Sequence, residues 1–88
     1  MAVVWVPPLL QHLTGGAERV TAPGATLRQV ISSLEAMYPG LRERLLDEAG
    51  RIQPGTAVVI DGESSHLGLL EPVKEESEIH FIPAISGG

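Results

Sequence analysis

The chain contains no cysteine. That excludes a disulfide scaffold, a thiolate zinc site, a cysteine-held iron–sulfur cluster and a cysteine nucleophile. Aromatic residues are nearly as scarce, with one Trp, one Tyr and one Phe. Three scattered rings cannot build a platform for stacking bases. Basic residues number six against eleven acidic ones, for a net charge of −5. A non-specific nucleic-acid binder needs a basic face to neutralise phosphates, so no nucleic-acid partner is expected. The acidity fits either a partner with a basic docking surface or solubility alone. Long apolar runs are also missing: nothing approaches the roughly 18 residues that cross a bilayer. The run Ala2–Val6 is cut off by Pro7-Pro8 and lacks the basic start of a signal peptide. No membrane partner is expected, and the expected location is cytoplasmic.

What is present reads as a globular chain. Its 88 residues are 43% hydrophobic and 19% charged, and that length fits one domain spanning residues 1–88. The β-branched and aromatic run Ala2-Val3-Val4-Trp5-Val6 predicts a strand. Prolines 7 and 8 end it, because proline cannot donate to a ladder. Leu9, Leu10 and Leu13 follow, and Thr14-Gly15-Gly16 signals a turn. Glu18–Thr21 then predicts a second strand that closes an N-terminal hairpin.

Thr26 followed by Gln29 is a capping-box pattern. Leu27, Val30, Ile31, Leu34 and Tyr38 recur at helical spacing behind it, and Pro39-Gly40 stops the helix. Leu41–Leu46 carries a second, short helical pattern, and residues 50–55 read as a loop. Thr56–Ile60 predicts a strand ended by Asp61-Gly62. The stretch 63–77 reads as irregular, anchored by Leu67, Leu69, Leu70 and Val73. Glu78–Pro83 predicts the last strand, with Ile79 and Phe81 alternating against His80 and Ile82. One helix must bury its stripe on one face of a mixed sheet. The expected inward set is Val4, Val6, Val20, Val58, Ile60, Ile79 and Phe81. With the first and last strands paired in parallel at the centre, the fold class is α+β, a β-grasp.

Most candidate chemistry has a plainer reading. His12, His66 and His80 show no metal-ligand spacing, so no metal is expected. Asp61-Gly62-Glu63 lacks the oxygen spacing of a calcium loop and reads as a turn. Gly15-Gly16 lacks the strand-to-helix setting of a phosphate loop. Ser64-Ser65-His66 supplies no oriented base and reads as loop. The alternation turns Val3, Trp5, Val59 and Ile82 away from the helix. Either they form an apolar docking patch, or Trp5 packs under the 67–73 segment.

The end of the sequence is the distinctive part. Six extended residues beyond Ile82 span at most about 20–22 Å, enough to enter another protein's buried site. Glycine lacks a Cβ, so Gly87-Gly88 can pass a narrow channel. A terminal carboxylate is anionic at pH 7 and a poor electrophile. It must be activated, for example by adenylation, before a nucleophile can attack, and a sulfur nucleophile would leave a thiocarboxylate.

Ile79-His80-Phe81-Ile82-Pro83-Ala84-Ile85-Ser86-Gly87-Gly88 resembles the ends of the ubiquitin-like sulfur carriers, the MoaD/ThiS family. The helix from Thr26 to Leu34 and the strand-turn Val58–Glu63 are similar to theirs. The resemblance implies that Gly88 holds the activated carboxyl group and that Gly87 gives access to it. The outward sheet residues Trp5, Val59 and Ile82 and the tail residues Pro83, Ala84, Ile85 and Ser86, with Gly87, are the expected partner contacts. Residues 7–16 and 38–47 are similar to the carrier of an actinobacterial-type cysteine synthesis. The implied partners are an E1-like adenylyltransferase/sulfurtransferase that uses ATP, a PLP-dependent cysteine synthase that accepts the sulfur through an aminoacrylate, and a zinc metallopeptidase. Molybdopterin and thiamine synthesis are the other branches, and the carrier itself is expected to hold no cofactor and to be no enzyme. One departure is local: the family often has Gly-Asp before the last strand, where this chain has Lys74-Glu75-Glu76-Ser77-Glu78. Two other readings stay open, a modifier joined to lysines through Gly88 and an interaction domain with an idle tail. Lys74 is the single lysine, which disfavours polymers built through internal lysines.

Overall fold

Thr26 opens the main helix. In the computed structural model, which describes residues 1–83, helix α1 spans Leu27–Met37 and Thr26 is its N-cap. The Thr26 hydroxyl accepts the Gln29 amide at 3.3 Å. The Gln29 side chain reaches back one residue further than the sequence suggests, accepting the Ala25 amide at 2.8 Å. Ala25 and Leu27 are also tied to the segment before the last strand: Leu27 N–H donates to Glu71 at 3.0 Å and Val73 N–H donates to Ala25 at 2.9 Å. The helix buries Leu27, Val30, Ile31 and Leu34 almost completely. Tyr38 sits at the C-cap and is half-buried. Each fully buried aliphatic side chain contributes about 1.5–3 kcal/mol relative to exposure.

These residues pack on a five-stranded sheet of order β2-β1-β5-β3-β4. The strands are β1 Ala2–Trp5, β2 Arg19–Ala22, β3 Thr56–Ile60, β4 Glu63–Ser64 and β5 Glu78–Pro83. Strands β1 and β5 run parallel at the centre, with Val3, Val4 and Trp5 opposite Glu78, Ile79 and His80. Every other pairing is antiparallel. The inward set expected from alternation is buried, from Val4 and Val6 through Val20, Val58 and Ile60 to Ile79 and Phe81. Helix α2, Leu41–Leu45, adds Leu41 and Leu45 to the same core. The architecture is the β-grasp.

Three segments differ from the sequence reading. The link from β1 to β2 is not plain loop but a 3-10 helix, Pro8–Thr14. Proline at its first position suits a helix start, and Gly15 closes it at φ 67°, a left-handed conformation that favours glycine. Residues 63–64, read as irregular, form β4. Asp61 and Gly62 both have positive φ, 53° and 84°, which is the tight hairpin geometry that returns the chain against β3. Leu67 and Leu70 do not anchor their segment, being 59% and 71% exposed. Residues Gly68–Leu70 form a single 3-10 turn, which spreads successive side chains around its axis. Only Leu69 faces inward, while Val73 is buried further on. No helix among the described residues is long and apolar enough to cross a membrane.

Candidate functional site

One row of residues crosses the sheet on the face opposite α1. Its members come from all five strands in spatial order: Arg19, Trp5, His80, Val59 and Ser64. Trp5 is paired with Arg19 on β2 and with His80 on β5. Val59 is paired with His80 on one side and Ser64 on the other. The period of two puts all of them on the outer face, because their neighbours Val4, Val58, Ile60, Ile79 and Phe81 point into the core.

Contacts along the row are specific. The Trp5 and His80 rings stack at 5.4 Å between centroids and 5° between planes. The Arg19 guanidinium carbon lies 5.6 Å from the Trp5 centroid, a cation–π distance. Trp5 Nε1 donates to Glu78 Oε1 at 3.1 Å. The indole is thus fixed by a ring, a cation and a carboxylate, yet stays half-buried with its face partly open. The 67–73 segment does not cover it, because residues 71–73 bond to the start of α1 on the other side of the sheet. Of the apolar residues expected on this face, Val3 and Val59 are half-buried and Ile82 is 50% exposed.

Ile82 pairs with Ala57, and Pro83 pairs with Thr56 where β5 ends. Ala84, Ile85, Ser86, Gly87 and Gly88, the other site residues expected from sequence, lie outside the described residues. Strand pairing therefore brings Trp5, Val59 and Ile82 onto one face, one to three residue pairs before that end. The sequence reading missed Arg19 and Glu78 as members of this surface. Alternation alone turns His80 outward, but placing Arg19 over Trp5 requires the hairpin register, which the long β1–β2 link hides.

At the opposite end of β5, the turn that departs from the family's Gly-Asp pattern is held by Asp61. The Ser77 hydroxyl accepts the Lys74 amide at 2.9 Å and donates to Asp61 Oδ2 at 2.7 Å. Asp61 Oδ1 accepts the Glu78 amide at 2.9 Å. The Glu78 amide, then the Ser77 hydroxyl, hold the Asp61 carboxyl below its ordinary value. Glu71 Oε1 accepts from the Ser65 hydroxyl at 2.8 Å and from the His66 and Leu67 amides at 3.2 Å. The Ser65 bond, first among its causes, holds the Glu71 carboxyl low. Ser65 therefore spends its hydroxyl on a loop carboxylate rather than on His66. No group of three or more His, Asp or Glu residues among those described converges as a metal site.

The profile of the ThiS family matches residues 4–88. The chain belongs to the ThiS family. It is 35% identical over 89 residues to the sulfur carrier protein CysO of Mycobacterium tuberculosis, covering 97% of this chain and 96% of the relative. The CysO crystal structure from that organism superposes with a TM-score of 0.91 at 32% identity, covering 97% of this chain and 100% of the other. A chain of the Amycolatopsis orientalis BexX/CysO complex superposes with a TM-score of 0.92 at 30% identity, with both chains covered in full. The small archaeal modifier protein SAMP1 of Haloferax volcanii shares the fold, with a TM-score of 0.76 at 24% identity and 99% and 98% of the two chains covered. This ThiS-family member is thus a CysO-like carrier rather than a catalyst in its own right.

Proposed function

We propose that the chain carries sulfur as a thiocarboxylate on Gly88. A carboxylate oxygen of Gly88 attacks the α-phosphorus of ATP in an E1-like adenylating partner, and pyrophosphate leaves. Hydrosulfide, or a donor that delivers it, then attacks the acyl carbon. A C–S bond forms, the C–O bond to AMP breaks, and the thiocarboxylate remains. The carrier supplies the acyl group and the surface by which partners hold it. No cofactor needs to reside on it, since ATP is bound by the activating partner.

The observation that supports this reading is the full-length similarity to CysO, in a family match that runs through Gly87-Gly88. The fold supplies a rationale. Strand β5 pairs with β1 through His80 and with β3 as far as Pro83, so the residues after Pro83 leave from a strand held to its last residue. Trp5, Val59 and Ile82 offer a patch that a partner enclosing Pro83–Gly87 would meet. For the acceptor, the resemblance of residues 7–16 and 38–47 favours the cysteine-forming branch, with a PLP-dependent synthase and a zinc metallopeptidase as later partners.

Intact-mass spectrometry tests the reading. The full chain is incubated with ATP, hydrosulfide and the E1-like adenylating enzyme of its own organism. A gain of about 16 Da, oxygen replaced by sulfur, is expected, with release of AMP and pyrophosphate. An unchanged mass overturns the carrier reading. Conjugates joined through Gly88 to lysines of other proteins, without free thiocarboxylate, would replace it with the modifier reading.

A further inference from the structure

The two ends of the sheet differ in charge. Where β5 begins, Asp61, Glu63, Glu75, Glu76 and Glu78, five of the chain's eleven acidic residues, outnumber Lys74 and the Met1 amine. Asp61 bonds to Ser77 and Glu78 there, Glu63 follows the adjoining turn, and Glu75 takes the N-terminal amine at 3.1 Å. Where β5 ends, the two sides of the sheet instead present arginines, Arg19 on the outer face and Arg44 on the helix side. The Met1 amine with Glu75 is the only ion pair among the described residues. Arg19 and Arg44 thus have no carboxylate partner there, although Glu18 and Glu43 are their chain neighbours.

Arg44 borders a small apolar pocket that also meets the end of β5. Pro7, Leu9, Leu10, Leu45 and Phe81 line it, next to Thr56, and its volume is about 100 Å³. An apolar cavity of roughly 150 Å³ admits a benzene molecule, so this one suits a single aliphatic side chain and not a cofactor. Leu9, at 77% exposure, is the most exposed large apolar residue among those described. An exposed leucine, an open apolar pocket and an unpaired guanidinium therefore adjoin one another.

We propose that this pocket and Arg44 form a second docking site, on the helix side of the sheet, for a segment of the adenylating partner that presents an aliphatic side chain next to a carboxylate. The proposal rests on the carrier reading above. A protein that takes the residues after Pro83 into its own site must close over this end of the sheet. Its surface then meets Arg44 on one side and Arg19 on the other. A guanidinium selects a carboxylate by paired N–H donors. The acidic far end orients the carrier as it approaches, because a charge asymmetry of this kind steers encounter.

The test uses the full chain and the same adenylating enzyme, with ATP–pyrophosphate exchange as the readout. R44E is compared with R28E, which makes the same change in net charge on the exposed face of α1. R44E is expected to raise the KM for the carrier roughly five- to tenfold with kcat within about twofold, the size of one lost and inverted surface ion pair. R28E is expected to leave both nearly unchanged. L9S removes an exposed side chain without touching the core, and the same KM effect is expected from it. Wild-type KM is expected to rise with salt more steeply than that of R44A. Equal KM values for R44E and R28E overturn the proposal. So does a wild-type dimer in sedimentation whose loss in R44E accounts for the change, since a second copy would then be the occupant. Absence of exchange with the wild-type chain would instead strike the carrier reading itself.

Discussion

Asp61 and Glu78 hold each other twice: the Asp61 amide donates to the Glu78 carbonyl at 2.9 Å, and the Asp61 carboxylate accepts the Glu78 amide at the same distance. One residue follows β3 in a left-handed conformation and the other begins β5, so this clasp sets where that strand starts. Its carboxylate also anchors Ser77, which is nearly fully buried at 2% exposure.

Acid should loosen that clasp. The folded-state value of Asp61 is lowered, chiefly by the Glu78 amide and then by the Ser77 hydroxyl, against an unfolded value of about 3.9. A lowered carboxyl contributes stability that is present above the unfolded value and is lost as pH falls through the folded one. Glu71 behaves alike below about 4.3, through Ser65 first and then the Leu67 and His66 amides. Chemical denaturation at pH 7 and at successively lower pH should show stability falling below about pH 4. D61N should flatten part of that fall. D61A should cost about 1 kcal/mol at pH 7, after discounting for its exposure.

Gly24 should tolerate no side chain. It has φ 155°, and a Cβ there would lie 2.7 Å from the Val30 amide nitrogen and 3.0 Å from the Gln29 carbonyl carbon. Both are helix backbone, which cannot yield as a side-chain tip can. G24A should cost about 1–3 kcal/mol for the clash on top of the positive-φ strain, in thermal or urea unfolding. Gly15 is the control: its φ is 67° with nothing within 4 Å of a Cβ, so G15A should cost only the left-handed strain, about 1–2 kcal/mol. Equal losses at the two sites would refute the clash.

Trp5 and His80 should be energetically coupled. A double-mutant cycle of W5A, H80A and both should return a coupling of about 0.5–1.5 kcal/mol, the scale of a stacked aromatic pair. R19A should weaken the partly exposed cation–π contact by about 0.5–1 kcal/mol. Additive losses at Trp5 and His80 would mean that the stacking carries no energy.

An alanine appended after Gly88 should abolish the gain of about 16 Da under the proposed activation, because the acyl group would belong to the wrong residue, and should leave the melting curve unchanged. W5A should instead allow thiocarboxylation to completion but slow it, by weakening the held complex on the outer face. Full-rate activation of the extended chain would remove Gly88 from the reaction.

Much of the fold is legible because its signals are local. Thr26 with Gln29, the stripe from Leu27 to Leu34, and Pro39-Gly40 specify α1 within fifteen residues. The β-branched run at 56–60 and the alternation at 79–82 specify two central strands. The rest depends on contacts between distant residues. Asp61 meets Ser77 across sixteen positions, and Arg19 meets Trp5 only through the hairpin register. Strand β4 has two residues, too few for any periodicity, and exists because Asp61-Gly62 turns the chain back. Leu67 and Leu70 look like anchors in sequence because hydrophobicity says nothing of which side of a 3-10 turn faces the core. For the candidate site, the alternation placed Trp5, Val59 and Ile82 together. It could not supply the arginines, whose relevance comes from where strands end.

The central pairing of β1 with β5 also sets an order of events in synthesis. Strand β1 is synthesised before β5, its neighbour on the inner side, with every other described strand in between. Until Glu78–Pro83 emerges, Val4 and Val58 have no common partner and the sheet stays in two pieces. A nascent or truncated chain therefore lacks the finished body that would present its end to another protein.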